Sequence, residues 1–333
     1  LLVFLTTFTT HAQISEECGT SATASQGPLA SQGDGIYLTA HGTLKALVVF
    51  VRFPNDNASN GHWPSNGFPS FADDFIDPTT TTVNANNYVN ITNYYKEMSL
   101  NQFKVIGDVV KIVAPYSSTD SRYNGLTGNA FRRKANQDVL EYIDNNTSIN
   151  FSDYDNWTAN NDYDHSHTPD GVVDMIFMIW RNTWFITPTN TWRGDASMGY
   201  GSGSLLVDNG NTTIKFGFPY YGSGGSGVTI HDNSSSTTLL NTAKHELGHW
   251  LLGVGHPYGS GAQNRISSIL QWAEPQGLSA SVPERERLGW ITVPEITSDA
   301  TNVELDDFIS TGDARKYKVP GGGANEYYYI TNN

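Results

Sequence analysis

The sequence contains very little cysteine and little charge, and it has no long hydrophobic run. Cys18 is the only cysteine among 333 residues. No disulfide can therefore form within the chain, and stability must come from packing or from bound metal ions. Charged residues make up 16% of the chain, and the formal net charge is -14. This acidity disfavours binding to nucleic acid or to anionic membrane surfaces.

The apolar run at the N-terminus, residues 1–8, is too short to cross a bilayer. It is followed by Thr10-His11-Ala12, which is typical of the cleavage site of a secretory signal peptide. The initiator Met and the basic region of such a peptide are missing. We predict that residues 1–13 are a signal peptide and that the protein is secreted, either extracellular or at the cell surface. A buried N-terminal strand is the alternative.

The composition varies along the chain in a way that suggests its organisation. Residues 14–43 are rich in Ser, Gly, Thr and Gln, which predicts a flexible lead-in. Residues 44–291 contain the apolar segments expected of a main domain. Residues 292–333 are typical of short strands with glycine turns, and we expect this β-rich segment to be truncated.

Three segments have the pattern of β-strands. Residues 44–53 and 172–180 are almost continuously apolar, which is typical of strands buried on both faces. Residues 100–116 alternate between apolar and polar, which predicts one or two antiparallel strands with a turn at Gly107.

Two further segments have helical periodicity. They cover residues 86–98 and 129–144, and the second places Phe131, Ala135, Val139 and Tyr142 on one face. Helices interspersed with fully apolar strands and with alternating strands predict an α/β (α+β) fold with a twisted mixed sheet.

The clearest functional motif is the stretch 245–249, His-Glu-Leu-Gly-His. On a helix, residues four apart stand one above the other, so His245 and His249 can bind one zinc ion. Glu246 is then placed to act as general base toward a water molecule. The alternative is a surface helix whose histidines have no function.

The residues around this motif favour a catalytic site. On a helical wheel the apolar side chains fall opposite the histidines; they are Leu240, Ala243, Leu247, Trp250 and Leu251. Residues 234–237 offer N-caps, and Gly253 predicts the end of the helix. His256 follows this end and can serve as a third ligand. Three protein ligands leave one zinc position open for water, as in catalytic sites.

A second candidate metal site lies in an acidic stretch. Closely spaced carboxylates around a glycine turn can surround a calcium ion. The candidate calcium ligands are Asp162, Asp164, Asp170 and Asp174. Residues 165–169 interrupt the spacing of a regular calcium loop, and a solvated acidic loop fits the sequence equally well.

Together these segments resemble the immune inhibitor A-like secreted metalloproteases and, more distantly, gametolysin. The similarity extends over roughly residues 44–331. It is carried by the segments 44–53, 94–99, 105–109, 170–174, 287–291 and 326–330, together with the motif helix. The resemblance implies a metzincin-like catalytic domain over residues 44–291, zinc dependence, and protein or peptide substrates.

Two features depart from the metzincin pattern. Residues 250–252 precede Gly253, so His256 comes one residue later than the third metzincin ligand. Metzincins also have a methionine turn beneath the zinc, whereas all four methionines of this chain precede the motif helix. The matching position is near Ile269 and Leu270, whose side chains can fill the same space.

The expected activity is hydrolysis of internal peptide bonds, with zinc supplying the Lewis acid and Glu246 the general base. One alternative is a gluzincin-type peptidase in which a carboxylate, with Glu274 the first candidate, replaces His256 as third ligand. Another is a catalytically inactive, secreted binding or adhesion module with a metal-stabilised fold. We expect a monomer.

Overall fold

The computed structural model of the chain describes residues 33–57, 61–81, 90–181, 193–199, 203–218, 224–231, 235–253, 268–270, 279–297, 303–324 and 326–332. The predicted signal peptide lies outside the described residues. So do both candidates for the third zinc ligand, His256 and Glu274.

The described elements alternate between strands and helices. In chain order they are β1 (Gly42–Arg52), α1 (Ile91–Met98), β2 (Phe103–Val113), α2 (Gly128–Asn146), β3 (Thr158–Asn161), β4 (Asp164–Ser166), β5 (Ile176–Trp180), β6 (Gly194–Asp195), β7 (Ser204–Val207), β8 (Thr212–Lys215), β9 (Gly227–His231), α3 (Ser236–Leu252), α4 (Val282–Arg287), α5 (Phe308–Thr311), β10 (Ala314–Lys318) and β11 (Tyr327–Thr331).

A five-stranded mixed sheet forms the centre of the fold, in the order β2-β1-β5-β9-β6. The first four strands run parallel, and β6 pairs antiparallel with β9 at one edge. The strands β5 and β9 are buried along their whole length, and β1 is buried over most of its length. The apolar sequences of β1 and β5 predict this burial, whereas β9 was not predicted as a strand. The prediction of a mixed α/β fold is confirmed.

Side chains of β1 point alternately into two cores, one on each face of the sheet. Ala46, Val48 and Phe50 belong to the core that includes α1 and α3. Leu47 and Val49 belong to the core that includes α2. The sheet is therefore covered by helices on both faces, and α3 lies on the same face as α1.

The predicted turn at Gly107 is wrong, because β2 is one continuous strand that pairs in parallel with β1. Gly107 lies directly opposite Ala46, and a Cβ built on Gly107 would come within 2.8 Å of the Ala46 carbonyl carbon. The Gly107 N–H donates a hydrogen bond to the Asp77 carbonyl oxygen at 2.9 Å. The glycine therefore permits a close approach of backbones rather than a reversal of the chain.

The second predicted helix is present as α2, but its inner face differs from the prediction. Ala135, Val139 and Ile143 are fully buried at i, i+4 and i+8, whereas Tyr142 is 38% exposed. The buried stripe follows the spacing of four residues and passes through Ile143, which leaves the neighbouring Tyr142 facing outward.

Residues 33–41 are packed and hydrogen-bonded, unlike the flexible lead-in predicted for residues 14–43. The N–H groups of Ile36 and Tyr37 donate to the carbonyl oxygens of Leu251 and Trp250, at 2.9 and 3.0 Å. These carbonyls belong to the last turn of α3, where intrahelical partners run out. This segment therefore caps the C-terminal end of α3.

The C-terminal part of the chain contains the short strands that its sequence predicts. β10 and β11 form an antiparallel pair, and Phe308 of α5 packs with Val282 and Val293 in a small separate core. Within the described residues, no helix is both long enough and apolar enough to cross a membrane.

Candidate metal centre

The helix α3 begins and ends where the sequence predicts. The Ser235 side chain accepts a hydrogen bond from the Thr238 N–H and so caps the N-terminus. Gly253 follows the last helical residue with φ of 92°, a conformation that disfavours residues with a side chain. The helix therefore holds residues 245–249 in regular α geometry.

The two histidines of α3 bring their Nε2 atoms within 3.2 Å of each other. Their rings are nearly perpendicular, with an interplanar angle of 83° and a centroid separation of 4.8 Å. Two nitrogens bound to one tetrahedral zinc at about 2.0–2.1 Å lie roughly 3.3–3.4 Å apart. The Nε2 separation of His245 and His249 thus fits a shared metal ion.

A hydrogen bond to His249 determines which of its nitrogens can bind a metal. The His249 Nδ1 lies 2.9 Å from the Gly253 carbonyl oxygen. A carbonyl oxygen only accepts, so Nδ1 carries the proton and Nε2 of the neutral ring keeps its lone pair. Such a partner for the second ring nitrogen is typical of metal-ligating histidines. Both rings are buried, which restrains them further.

Glu246 is fully buried and lies against the edge strand β6. A Cβ built on Gly194 would come within 2.7 Å of Cδ and Cγ of Glu246. The next residue, Asp195, forms a buried ion pair with Arg132 of α2 and accepts a hydrogen bond from Ser197 Oγ at 2.8 Å. Burial raises the pKa of Asp195, and the Arg132 charge opposes that rise.

A short segment, residues 268–270, runs beside the histidines along α3. Ile269 and Leu270 are buried against Gly248, where a Cβ would come within 2.5 Å of the Ile269 Cγ2. The Nζ of Lys244 donates to the Ser268 carbonyl oxygen at 2.9 Å. Lys244 and Gly248 are four residues apart and so form the helix row next to His245 and His249. The segment predicted to match the methionine turn therefore packs directly on the motif helix.

Glu284 of α4 holds this segment in place. Its carboxylate accepts hydrogen bonds from the Ser268 hydroxyl, from the Ile269 N–H at 3.0 Å and from the Leu270 N–H at 3.3 Å. It also accepts from the Ser281 N–H in a capping box. Burial lowers the pKa of Lys244 to about 8, and the Glu284 charge opposes that shift.

The sequence interpretation missed this role of Glu284. The Ser281-to-Glu284 spacing is a visible capping-box pattern, but it gives no indication of the contact with residues 268–270.

We expect Glu284→Ala to lower the free energy of unfolding by about 3–5 kcal/mol, because buried donors lose their acceptor and each such loss costs about 1–3 kcal/mol. Urea unfolding measures the change. Glu286→Ala is the matched control, since Glu286 pairs with Lys316 and Tyr329 near the surface and should cost less than about 1 kcal/mol. Equal losses in the two variants would contradict the assigned role.

The four candidate calcium ligands differ in their exposure and in their hydrogen bonds. Asp162 and Asp164 are exposed at the turn between β3 and β4. Asp170 accepts from the Val172 N–H, and Asp174 accepts from the N–H groups of Asn156 and Trp157. Burial raises the pKa of Asp174 to about 8, with the charges of Asp155 and Asp170 adding to the rise.

The described part of the chain contains no group of three or more His, Cys, Asp or Glu side chains arranged to hold a metal ion. The prediction of calcium therefore gains no support. The histidine pair of α3 supplies two ligands, and His256, the predicted third, lies outside the described residues.

The mixed sheet and the histidine pair on α3 together make the chain a candidate metallopeptidase. Residues 43–184 match the family model of the immune inhibitor A peptidase M6 catalytic domain. This match confirms the resemblance to immune inhibitor A-like metalloproteases and indicates a metallopeptidase. The matched region ends before α3, so the roles of the α3 residues rest on geometry. No match was found among the curated proteins compared with the chain.

Proposed function

We propose that the chain is a secreted, zinc-dependent endopeptidase with His245, His249 and His256 as zinc ligands and Glu246 as general base. The observation that carries the proposal is the 3.2 Å separation of the two Nε2 atoms, with His249 Nδ1 held by the Gly253 carbonyl. The family match over residues 43–184 supports the peptidase class. Secretion is supported by the apolar N-terminal run and by the resemblance.

Bound zinc would supply Lewis acidity, which lowers the pKa of water and polarises the scissile carbonyl. Glu246 takes the proton of the attacking water and later passes it to the leaving amine. The burial of Glu246 beside β6 limits the orientations open to its carboxylate. The Gly253 carbonyl keeps the His249 ring in the orientation and tautomer that ligation requires.

Removal and return of zinc test the proposal. We expect the purified chain to hydrolyse casein, to lose this activity when a chelator removes the metal, and to regain it with about one zinc per chain, because the metal is the Lewis acid of the reaction. Hydrolysis that persists in metal-free protein would overturn the proposal. A folded, zinc-loaded chain without hydrolysis would favour the binding or adhesion module.

Two variants identify the third ligand in the same preparation. Loss of zinc in His256→Ala but not in Glu274→Ala is the expected result. The reverse pattern would indicate the gluzincin-type arrangement.

A further inference from the structure

Gly194 of the edge strand β6 lies against Glu246 of the motif helix α3. A Cβ built there would come within 2.7 Å of both Cγ and Cδ of Glu246. These separations are well below van der Waals contact, so any side chain at this position would occupy the space that the Glu246 carboxylate now uses. Gly194 has no positive φ that would itself require glycine. The need for glycine therefore comes from Glu246.

The backbone at Gly194 cannot retreat easily from Glu246. Gly194 pairs with Ile230 of β9, and Asp195 pairs with Thr229. On the N-terminal side, the Arg193 carbonyl accepts from the His231 N–H at 2.7 Å.

The buried ion pair between Asp195 and Arg132 ties the same strand to α2. With the strand held on both sides, the flexible end of Glu246 is the part that would yield to an added methyl group.

We propose that Gly194 is a positioning residue for the general base: its missing side chain provides the space for the Glu246 carboxylate, and the fixed strand β6 defines the limit of that space. The inference rests on the proposed function of Glu246. It assigns to β6 a role in catalysis.

The variant Gly194→Ala separates this role from metal binding and from folding. We expect kcat for a peptide substrate to fall on the order of 100-fold, since a misplaced general base forfeits much of a contribution of about 10²–10⁴. Zinc content should stay at the parent value, because the three atoms nearest to the new methyl all belong to Glu246 and not to a histidine. The chain should stay folded with a modest fall in the midpoint of urea unfolding, because the methyl crowds a buried site. Gly61→Ala is the control, since Gly61 is exposed and a Cβ there meets nothing within 4 Å.

A double variant tests whether the effect passes through Glu246. In a Glu246→Gln background, Gly194→Ala should cause no further loss of kcat, because two changes that disable one group are not additive. A full 100-fold further loss would overturn the proposal, as would parent kcat, lost zinc or an unfolded chain in the single variant.

A crystal structure of Gly194→Ala gives a readout that does not depend on activity. The Glu246 carboxylate should be displaced while the rings of His245 and His249 stay in place, and an undisplaced carboxylate would overturn the inference. Failure of the proposed function is distinguishable, because Glu246→Gln alone would then keep the parent rate whatever happens at Gly194.

Discussion

Replacing Glu246 with glutamine is expected to lower kcat for peptide hydrolysis by a factor on the order of 10²–10⁴, the usual contribution of a general acid-base group. Glutamine has nearly the same volume as glutamate but cannot take up a proton at neutral pH. It therefore fits the buried space beside Gly194 without serving as a base. Steady-state kinetics on a peptide taken from a casein cleavage site measure the change.

Zinc content and stability show whether the Glu246→Gln effect is specific. Glu246 is not among the proposed ligands, so the variant should hold as much zinc as the parent. Glu286→Gln is the matched control, because this carboxylate contacts Lys316 and Tyr329 in the C-terminal part of the chain. Parent rates in Glu246→Gln would rule out the assigned role.

Replacing His249 with asparagine is expected to weaken zinc binding by roughly 100- to 1,000-fold. Zinc sites with four protein ligands contribute about 10–16 kcal/mol, so one ligand accounts for about 3–4 kcal/mol. The asparagine amide can still donate to the Gly253 carbonyl in place of Nδ1. Asparagine has no atom at the position of Nε2, so the zinc loses that ligand. Competition with a chromophoric chelator measures the affinity.

An exposed histidine provides the control for the His249 variant. His62→Asn makes the same chemical change at the surface and should leave zinc affinity unchanged. Zinc binding in His249→Asn that equals the parent's would show that the metal is held elsewhere.

Local patterns predict the elements that position the site but not all of its contacts. The apolar run of β1 and the cap and glycine signals of α3 are properties of consecutive residues, and the structure contains both elements close to the predicted bounds. The pairing of β2 with β1 joins residues far apart in sequence. The sequence therefore predicted a turn at Gly107, whereas this glycine allows two strands to approach closely.

The residues that sequence reasoning missed lie on elements with weak local signals. β6 contains only Gly194 and Asp195, which is too short for any periodicity. Its contact with Glu246 exists only because β6 pairs with β9 while α3 packs nearby. Glu284 likewise acts on residues 268–270 through tertiary folding. In the acidic stretch, Asp170 and Asp174 accept hydrogen bonds from backbone N–H groups that the sequence pattern does not reveal.

The central claim is that one metal ion lies between His245 and His249. Anomalous diffraction at the zinc edge from crystals of the purified chain tests it most directly. The account predicts one peak at about 2.0–2.1 Å from both Nε2 atoms, with further density from a third ligand that identifies it as His256. A folded chain whose crystals contain zinc elsewhere, or no peak beside these histidines after zinc is added, would contradict it.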